Sequence, residues 1–330
     1  MGPITGQCLD YETRNKRCAQ CEENARTGVY KDHDCRLNHY SSSKAMEGDI
    51  GVSTFSKAAQ TNTRYKTLIG DDDSTTISWI HANVDSEVKK VSDVNHACSA
   101  LHKQLLGVKS RHKQLTKPVI DYLERCFTYA IAQNTNDSAS LQTALDAIPG
   151  HMFGDHSSCG MSWCGYVQRL GPNLPGVERY RHRIFKGGCD LTSESLRSDI
   201  KKVMKHFSDN AEKLSPRGST KRNESLNSTI ATKTTKTRHY GVSAQYDYRV
   251  GAAVAQKNRS YSYIAGVMSE LGMSPGKHAV EHGTRMSRKR ERESAAKQSP
   301  TFKRRRLVKK AVRSGVTNAA EVVEGEDKLN

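Results

Sequence analysis

A run with β-forming character, Tyr65-Lys66-Thr67-Leu68-Ile69, stops at Gly70, and Asp71, Asp72 and Asp73 follow directly. Hydroxyl residues come next, and then apolar positions at Ile77, Ile80 and Val84 that suit a short helix. This order predicts a strand, an acidic turn and a helix. Carboxylates at the C-terminal end of a strand stand where α/β sheets place their chemistry. If the alternation of strand side chains continues through the turn, Asp71 and Asp73 face one way and Asp72 the other. Two acids on one side suit a hard divalent cation. The same acids also suit the first turn of a helix beginning near Ser74.

The surrounding pattern supports an α/β unit. Apolar positions from Ser41 to Gln60 approximate helical spacing despite Gly48 and Gly51. A strand is expected around Val88–Val91, with a helix from Asp93 to about Leu106. Ile4–Thr13 reads as a further strand. From residue 109 the pattern is helical. Pro118 suits the first turn of one helix, and Ser138–Ile148 forms another that Pro149-Gly150 is expected to stop. Leu196, Ile200, Val203, Met204 and Phe207 mark an amphipathic helix. Further helices are expected from about Asn223, over Ser243–Gln256, and over Ile264–Leu271 with Gly272 just past its end. Residues 273–330 read as disordered, basic and then acidic at Glu321–Asp327.

Charge is concentrated in that last segment. Residues 285–313 hold thirteen Lys or Arg against two Glu, which is +11 of the chain's +17. The runs Arg288-Lys289-Arg290 and Lys303-Arg304-Arg305-Arg306 read as a nucleic-acid arm, a nuclear address, or both. A hydrophobic fraction of 35% is low for one packed globule, which agrees with a solvated tail. No apolar stretch is long enough for a membrane span, and the N-terminus lacks a signal-peptide pattern, so an intracellular protein is expected.

The nine cysteines follow metal-ligand spacing better than a disulfide framework. Cys18-x2-Cys21 followed by His33-x-Cys35 offers three thiolates and an imidazole, a closed tetrahedral set for structural zinc, with His39 as a spare ligand. His151, His156, Cys159 and Cys164 form a less specific second set, in which the ligating histidine is not readable. Asp93 suits an N-cap, and His96 follows it on the same helix. Glu224 stands near the start of a polar helix.

The ordered series Cys18-x2-Cys21, His33-x-Cys35, Asn38-x2-Ser41-Ser42-Ser43-x2-Met46-Glu47, Gly70–Ser74, Asp93-x2-His96, Ser162-Trp163-Cys164 and Asn223–Asn227 resembles the Mutator-like transposases of animal genomes. The likeness extends over about residues 5–275. It implies a ribonuclease-H-like α/β core interrupted by an all-helical insertion, with a disordered basic C-terminal tail. The implied division is 1–108 for the first part of the core, 109–215 for the insertion, 216–272 for the last core helices and 273–330 for the tail.

The implied chemistry uses an Asp/Asp/Glu triad holding two Mg2+ (or Mn2+) ions for DNA strand cleavage and transfer. Carried onto this chain, the second acid is Asp73, with Asp71 as its rival. The Glu is Glu224, and His96 is accessory. The resemblance also implies DNA as partner, a homo-oligomer on transposon ends and a nuclear location. The family's first acid, in a motif like Asp-Gly-Thr-Trp, has no counterpart here, and Asp72 and Leu226 replace the usual Gly and Phe. An N-terminally truncated transposase without strand-cleaving activity is therefore expected. The alternative is a transposase-derived nuclear DNA-binding or scaffold protein. A zinc hydrolase fits less well, because both cysteine-rich sets read as closed.

Overall fold

A computed structural model describes residues 1–2, 4–170 and 190–313. Its elements run in the order α1 (Ala19–Thr27), α2 (Ala45–Gln60), β1 (Thr67–Gly70), α3 (Thr75–Asn83), β2 (Lys89–Ser92), α4 (Val94–Lys109), α5 (Lys117–Gln133), α6 (Ser138–Met152) and α7 (Gly165–Leu170). There follow α8 (Glu194–Ser208), α9 (Ala211–Leu214), α10 (Lys221–Lys233), α11 (Gln245–Arg259), a 3-10 turn at Ser260–Ser262, α12 (Tyr263–Glu270), α13 (Lys277–Gln298) and α14 (Pro300–Arg313). The chain forms two compact units, one of residues 42–221 and one joining 1–41 to 222–330. The acidic stretch Glu321–Asp327 lies outside the described residues.

In the 42–221 unit, β1 and β2 pair in parallel, with Thr67 opposite Lys89 and Gly70 opposite Ser92. α3 makes the crossover that a parallel pair requires. Ile77, Ile80 and Val88 are buried together, with Phe55, Leu68 and Val84 packed on them. The two glycines within α2 have a steric reason. A Cβ on Gly51 would stand 2.8 Å from Thr76 Cγ2, and one on Gly48 would stand 2.8 Å from the Trp79 ring. Thr76 is buried and β-branched, whereas Trp79 is 38% exposed and can move. Gly51→Ala is therefore expected to destabilise by about 1–3 kcal/mol despite its gain in helix propensity. Gly48→Ala should be close to neutral, and chemical denaturation of the two variants checks the contrast.

The larger core of this unit is helical. Leu101, Leu105, Leu123, Phe127, Leu141, Leu145, Leu196, Ile200 and Phe207 are among its buried residues, on α4, α5, α6 and α8. Phe127 and Phe207 meet edge to face at 5.0 Å. Asp137 caps α6 through the Ser140 amide, and Ser193 caps α8 through the Leu196 amide. Pro118 lies in the first turn of α5 as its spacing predicts. Pro149 does not end α6, which continues to Met152. A proline removes one amide donor, and here the buried side chains of Ile148, His151 and Met152 hold the last turn in place.

In the other unit the expected strand at Ile4–Thr13 does not form. Side chains satisfy this backbone instead. The Asn258 amide group of α11 accepts from Cys8 N at 2.8 Å and donates to Cys8 O at 3.0 Å, doing what a neighbouring strand would do. Asn38 likewise donates to the Thr13 carbonyl. Cys8, Leu226 and Ala253 form the buried centre of this unit. α12 ends in the expected way: Gly272 has φ +69°, and Met273 N donates to Met268 O.

The basic segment departs from its expected disorder, since α13 and α14 are helices. Their residues explain it. Lys, Arg, Glu, Ala and Met are strong helix formers, and proline enters only at the first position of α14.

Candidate metal centres

Among the described residues, two groups bring enough ligand atoms together to hold a metal ion, and both are sets of cysteine and histidine. In each set the ligand atoms lie within 4.8 Å of one another. A zinc tetrahedron with sulfur arms of about 2.3 Å has edges of roughly 3.7 Å. Both sets come near that size.

The first belongs to the unit of residues 1–41 and 222–330. Cys18 is the N-cap residue of α1 and Cys21 lies in its first turn. Gly28 then adopts φ +70° and ends the helix, so residues 29–35 run back past its N-terminus. Asn24 fixes the return by donating to Lys31 O and accepting from Lys31 N. His33 Nδ1 donates to the Lys31 carbonyl at 3.0 Å, leaving Nε2 as the ligand atom, 3.3 Å from Cys21 Sγ. Cys35 Sγ is 3.4 Å from Cys21 Sγ.

Burial alone would raise the Cys18 thiol, but the amides of Cys21, Arg36 and Gln20 outweigh it and bring the pKa down to about 6. Hydrogen bonding to Cys35 and burial push Cys21 up to about 11. Cys18 is thus prepared as a thiolate, and Cys21 loses its proton when a metal arrives. His39 is buried but stands outside the set.

The second centre belongs to the 42–221 unit. The continuation of α6 through Pro149 delivers His151, buried at the end of the helix. The loop that follows supplies His156 and Cys159, and Cys164 stands directly before α7. His151 Nδ1 is 3.6 Å from both Cys159 and Cys164 Sγ, and His156 Nδ1 lies 3.7 and 3.5 Å from the same two sulfurs. The two Nδ1 atoms are 3.2 Å apart. Both histidines therefore stand within reach of one ion together with the two cysteines.

Hydrogen bonding with Cys159 and with His151 holds the Cys164 thiol down at about 3 despite burial, while Cys159 is pushed up. The surroundings close the site. Tyr166 stacks on His156 with centroids 4.2 Å apart, and Trp163 lies 5.0 Å from His151.

Tyr122 on α5 is a partner that no motif indicates. Its hydroxyl is 2.8 Å from His151 Nε2. With Nδ1 on a metal, Nε2 carries the proton and donates to Tyr122, which fixes tautomer and ring orientation. Tyr122→Phe is expected to weaken metal binding at this centre about 10- to 100-fold while leaving saturating stoichiometry unchanged. Competition with a chromophoric chelator measures it.

The acidic turn is arranged differently. β1 ends at Gly70, so the three aspartates lie on a turn and the alternation of a strand does not reach them. Asp71 Oδ1 accepts from Asp73 N at 3.2 Å, and Asp73 Oδ1 accepts from Thr75 N at 3.1 Å and Thr75 Oγ1 at 2.8 Å. Asp72 turns to Ser92 Oγ, 3.1 Å away. The Thr75 amide and hydroxyl, with Lys44 and Lys90 nearby, hold the Asp73 carboxyl below the usual range, so it is ionised and exposed to solvent. His96 is exposed on α4. Glu224 is exposed in the first turn of α10 and belongs to the other unit.

Asp93 does more than cap α4. It is 1% exposed, and its Oδ1 accepts from Asn95 N and His96 N. Its Oδ2 accepts from Thr220 N at 2.5 Å and Thr220 Oγ1 at 2.8 Å. Gly218 pairs beside it in parallel, and Val94 N donates to Gly218 O. A Cβ on Gly218 would stand 2.6 Å from Val91 Cγ1, so only glycine fits against this edge. Asp93 thus joins the end of β2 and the start of α4 to the segment that leads into α10. Sequence spacing identifies the cap but gives no sign of Thr220, 127 residues away.

Residues 1–164 match the family model described as Mutator-like transposase. That range contains both cysteine–histidine sets, the acidic turn and His96, while Glu224 lies beyond it. No curated protein and no solved structure gives a significant match. Residues 1–164 belong to the Mutator-like transposase family.

Proposed function

We propose that this chain is a DNA transposase of the Mutator-like class, whose reaction is Mg2+-dependent strand cleavage and transfer on a ribonuclease-H-like core, and that its site is incomplete because the first acid of the triad has no counterpart among its residues. Asp73 and Glu224 serve as carboxylate ligands, with Asp71 as the alternative to Asp73 and His96 accessory. The carrying observation is the family match, because it spans the parallel strand pair and the acidic turn at the end of β1. Asp73 offers the donor that Mg2+ prefers, an ionised oxygen on an exposed turn. When bound, the metal supplies charge neutralisation at a phosphodiester and activation of the attacking oxygen. The Thr75 amide and hydroxyl keep Asp73 unprotonated and oriented.

The cysteine–histidine centres have the other role. Sulfur and imidazole donors select zinc over magnesium, and four protein ligands per centre leave no position for substrate. They are structural zinc sites in this reading, which argues against a zinc hydrolase. The net charge of +17 supports a DNA partner and a nuclear site of action. No described helix is long and apolar enough to cross a membrane.

The test is DNA end joining in Mg2+, with duplex binding and Mn2+ uptake measured alongside. With the first acid missing, the chain is expected to bind duplex without joining it; joining that is abolished by Asp73→Ala and by Glu224→Ala, with DNA binding retained in both, would overturn the incomplete-site reading. Duplex binding with no Mn2+ uptake that Asp73→Ala or Glu224→Ala lowers favours the non-catalytic nuclear DNA-binding or scaffold protein. Its supporting observation is the concentration of charge on α13 and α14.

A further inference from the structure

The basic segment of α13 is not one uniform charged face. Gly283 is buried, and Met286, Ser287 and Arg290 are partly buried, while Arg285, Arg288, Lys289 and Arg292 are exposed. Positions 283, 286, 287 and 290 follow helical spacing, so they form the inward stripe of α13. Its contact is the 3-10 turn after α11: Tyr261 N donates to Ser287 Oγ at 3.2 Å. A Cβ on Gly283 would stand 3.2 Å from Tyr261 O and 3.7 Å from Ser262 Cα, whereas Ser287 meets Tyr261 N, so the stripe runs back towards α11 and its next turn carries the Arg290 guanidinium towards the Lys257 end.

On the other side of that crossing, Lys257 lies on the last turn of α11, partly buried, and its Nζ donates to Ser225 Oγ of α10 at 3.2 Å. Arg222 stands one turn before Ser225, and its Nη1 donates to the Gly2 carbonyl at 3.0 Å. All of these residues belong to one compact unit. Burial first, and then the charges of Arg290 and Arg222, lower the Lys257 pKa. Lys257 and Arg290 are partly buried and Arg222 is exposed at their edge. Like charges gathered beside a partly desolvated lysine raise the free energy of the site, and an anion bound there relieves it.

We propose that Lys257, Arg222 and Arg290 form a site for a single phosphodiester of duplex DNA, assembled when α13 docks across the end of α11. This rests on the DNA-handling reading above and adds a place and a stoichiometry to it. Arg290 is separated from its sequence neighbours. Arg288 and Lys289 point outward and contribute only to the diffuse field, whereas Arg290 completes a built site. The guanidinium forks and the ammonium supply charge-assisted donors of the kind that phosphate oxygens accept.

The test uses the full chain and a fluorescein-labelled duplex, with anisotropy followed over a range of NaCl concentrations. Each phosphate neutralised contributes about 0.9 to the slope of log K against log salt. Arg290→Gln, Lys257→Gln and Arg222→Gln should each reduce the slope by up to about 1, and the triple variant should also reduce it by about 1. Arg290→Lys should keep most of the slope, with circular dichroism confirming that each variant remains helical. A reduction near three in the triple variant would overturn the single-phosphate site. So would wild-type slopes in all three single variants while Lys289→Gln lowers the slope; DNA handling itself would then still stand. No salt-dependent duplex binding by the unsubstituted chain would contradict both.

Discussion

Cys164→Ser should cost the protein one of two zinc ions and destabilise the helical unit by at least about 4 kcal/mol. Cys164 is fully buried and lies within 3.6 Å of both His151 Nδ1 and His156 Nδ1, so no solvent-exposed side chain can take its place. Serine keeps the shape but replaces a thiolate by a hydroxyl, which is a poor zinc ligand at neutral pH. The loss does not stay local. His151 ends α6, whose Leu141, Leu145 and Ile148 belong to the main core, and Tyr122 on α5 is hydrogen-bonded to the same imidazole. A destabilisation of that size lowers Tm by roughly 8–16 °C for a unit of this length. Cys35→Ser should remove the other ion, with its effect in the other unit. Calorimetry together with metal analysis of both variants separates the two centres.

Asp93→Ala is expected to cost about 3–4 kcal/mol, more than an ordinary N-cap, for which about 1 kcal/mol is typical. The additional part comes from Thr220, whose amide and hydroxyl lose a buried ionised acceptor. The same contacts make a pH prediction. Burial would raise the Asp93 carboxyl, but donors from Thr220, His96 and Asn95 outweigh it and hold the pKa below the usual range. A lowered folded-state pKa means that the stabilisation is complete above the unfolded carboxyl pKa, about 3.9. It is lost as pH falls through the folded-state value. Asp93→Asn should therefore flatten the acid limb of the stability curve relative to the unsubstituted chain, in addition to lowering the plateau. Urea denaturation across acidic pH measures both. An unchanged acid limb would mean that Asp93 does not carry the pH dependence assigned to it.

Local periodicity made much of the helical framework legible. Leu196, Ile200, Val203, Met204 and Phe207 announce α8 because a single buried stripe requires that spacing, and all five are buried. Pro118 and the Gly272 end of α12 were readable for a similar reason, since each follows from the backbone preference of one residue type. Ile4–Thr13 misleads because apolar alternation says only that the segment is extended. It does not say whether a strand or side chains such as Asn258 will satisfy its amides. Pro149 misleads in the opposite direction, because buried contacts around His151 outweigh one missing hydrogen bond.

The sites divide along the same line. The first cysteine–histidine set was readable from its C-x2-C knuckle, because adjacent thiolates on one helical turn are a local arrangement. That both His151 and His156 stand within reach of one ion was not, since it depends on how far α6 runs. The acids of the turn could be named, but the bonds from Thr75 that orient Asp73 depend on where β1 stops. Tyr122 and Thr220 are out of reach of any spacing rule, because each meets its partner only through the packing of distant elements.

Zinc content per chain, measured by elemental analysis on protein purified without added metal, tests the account most directly. Two zinc ions per chain are predicted, held through gel filtration and released by a strong chelator with loss of cooperative unfolding in both units. A chain that contains no zinc, or that gives up both ions with its thermal transition and near-UV circular dichroism unchanged, would contradict it.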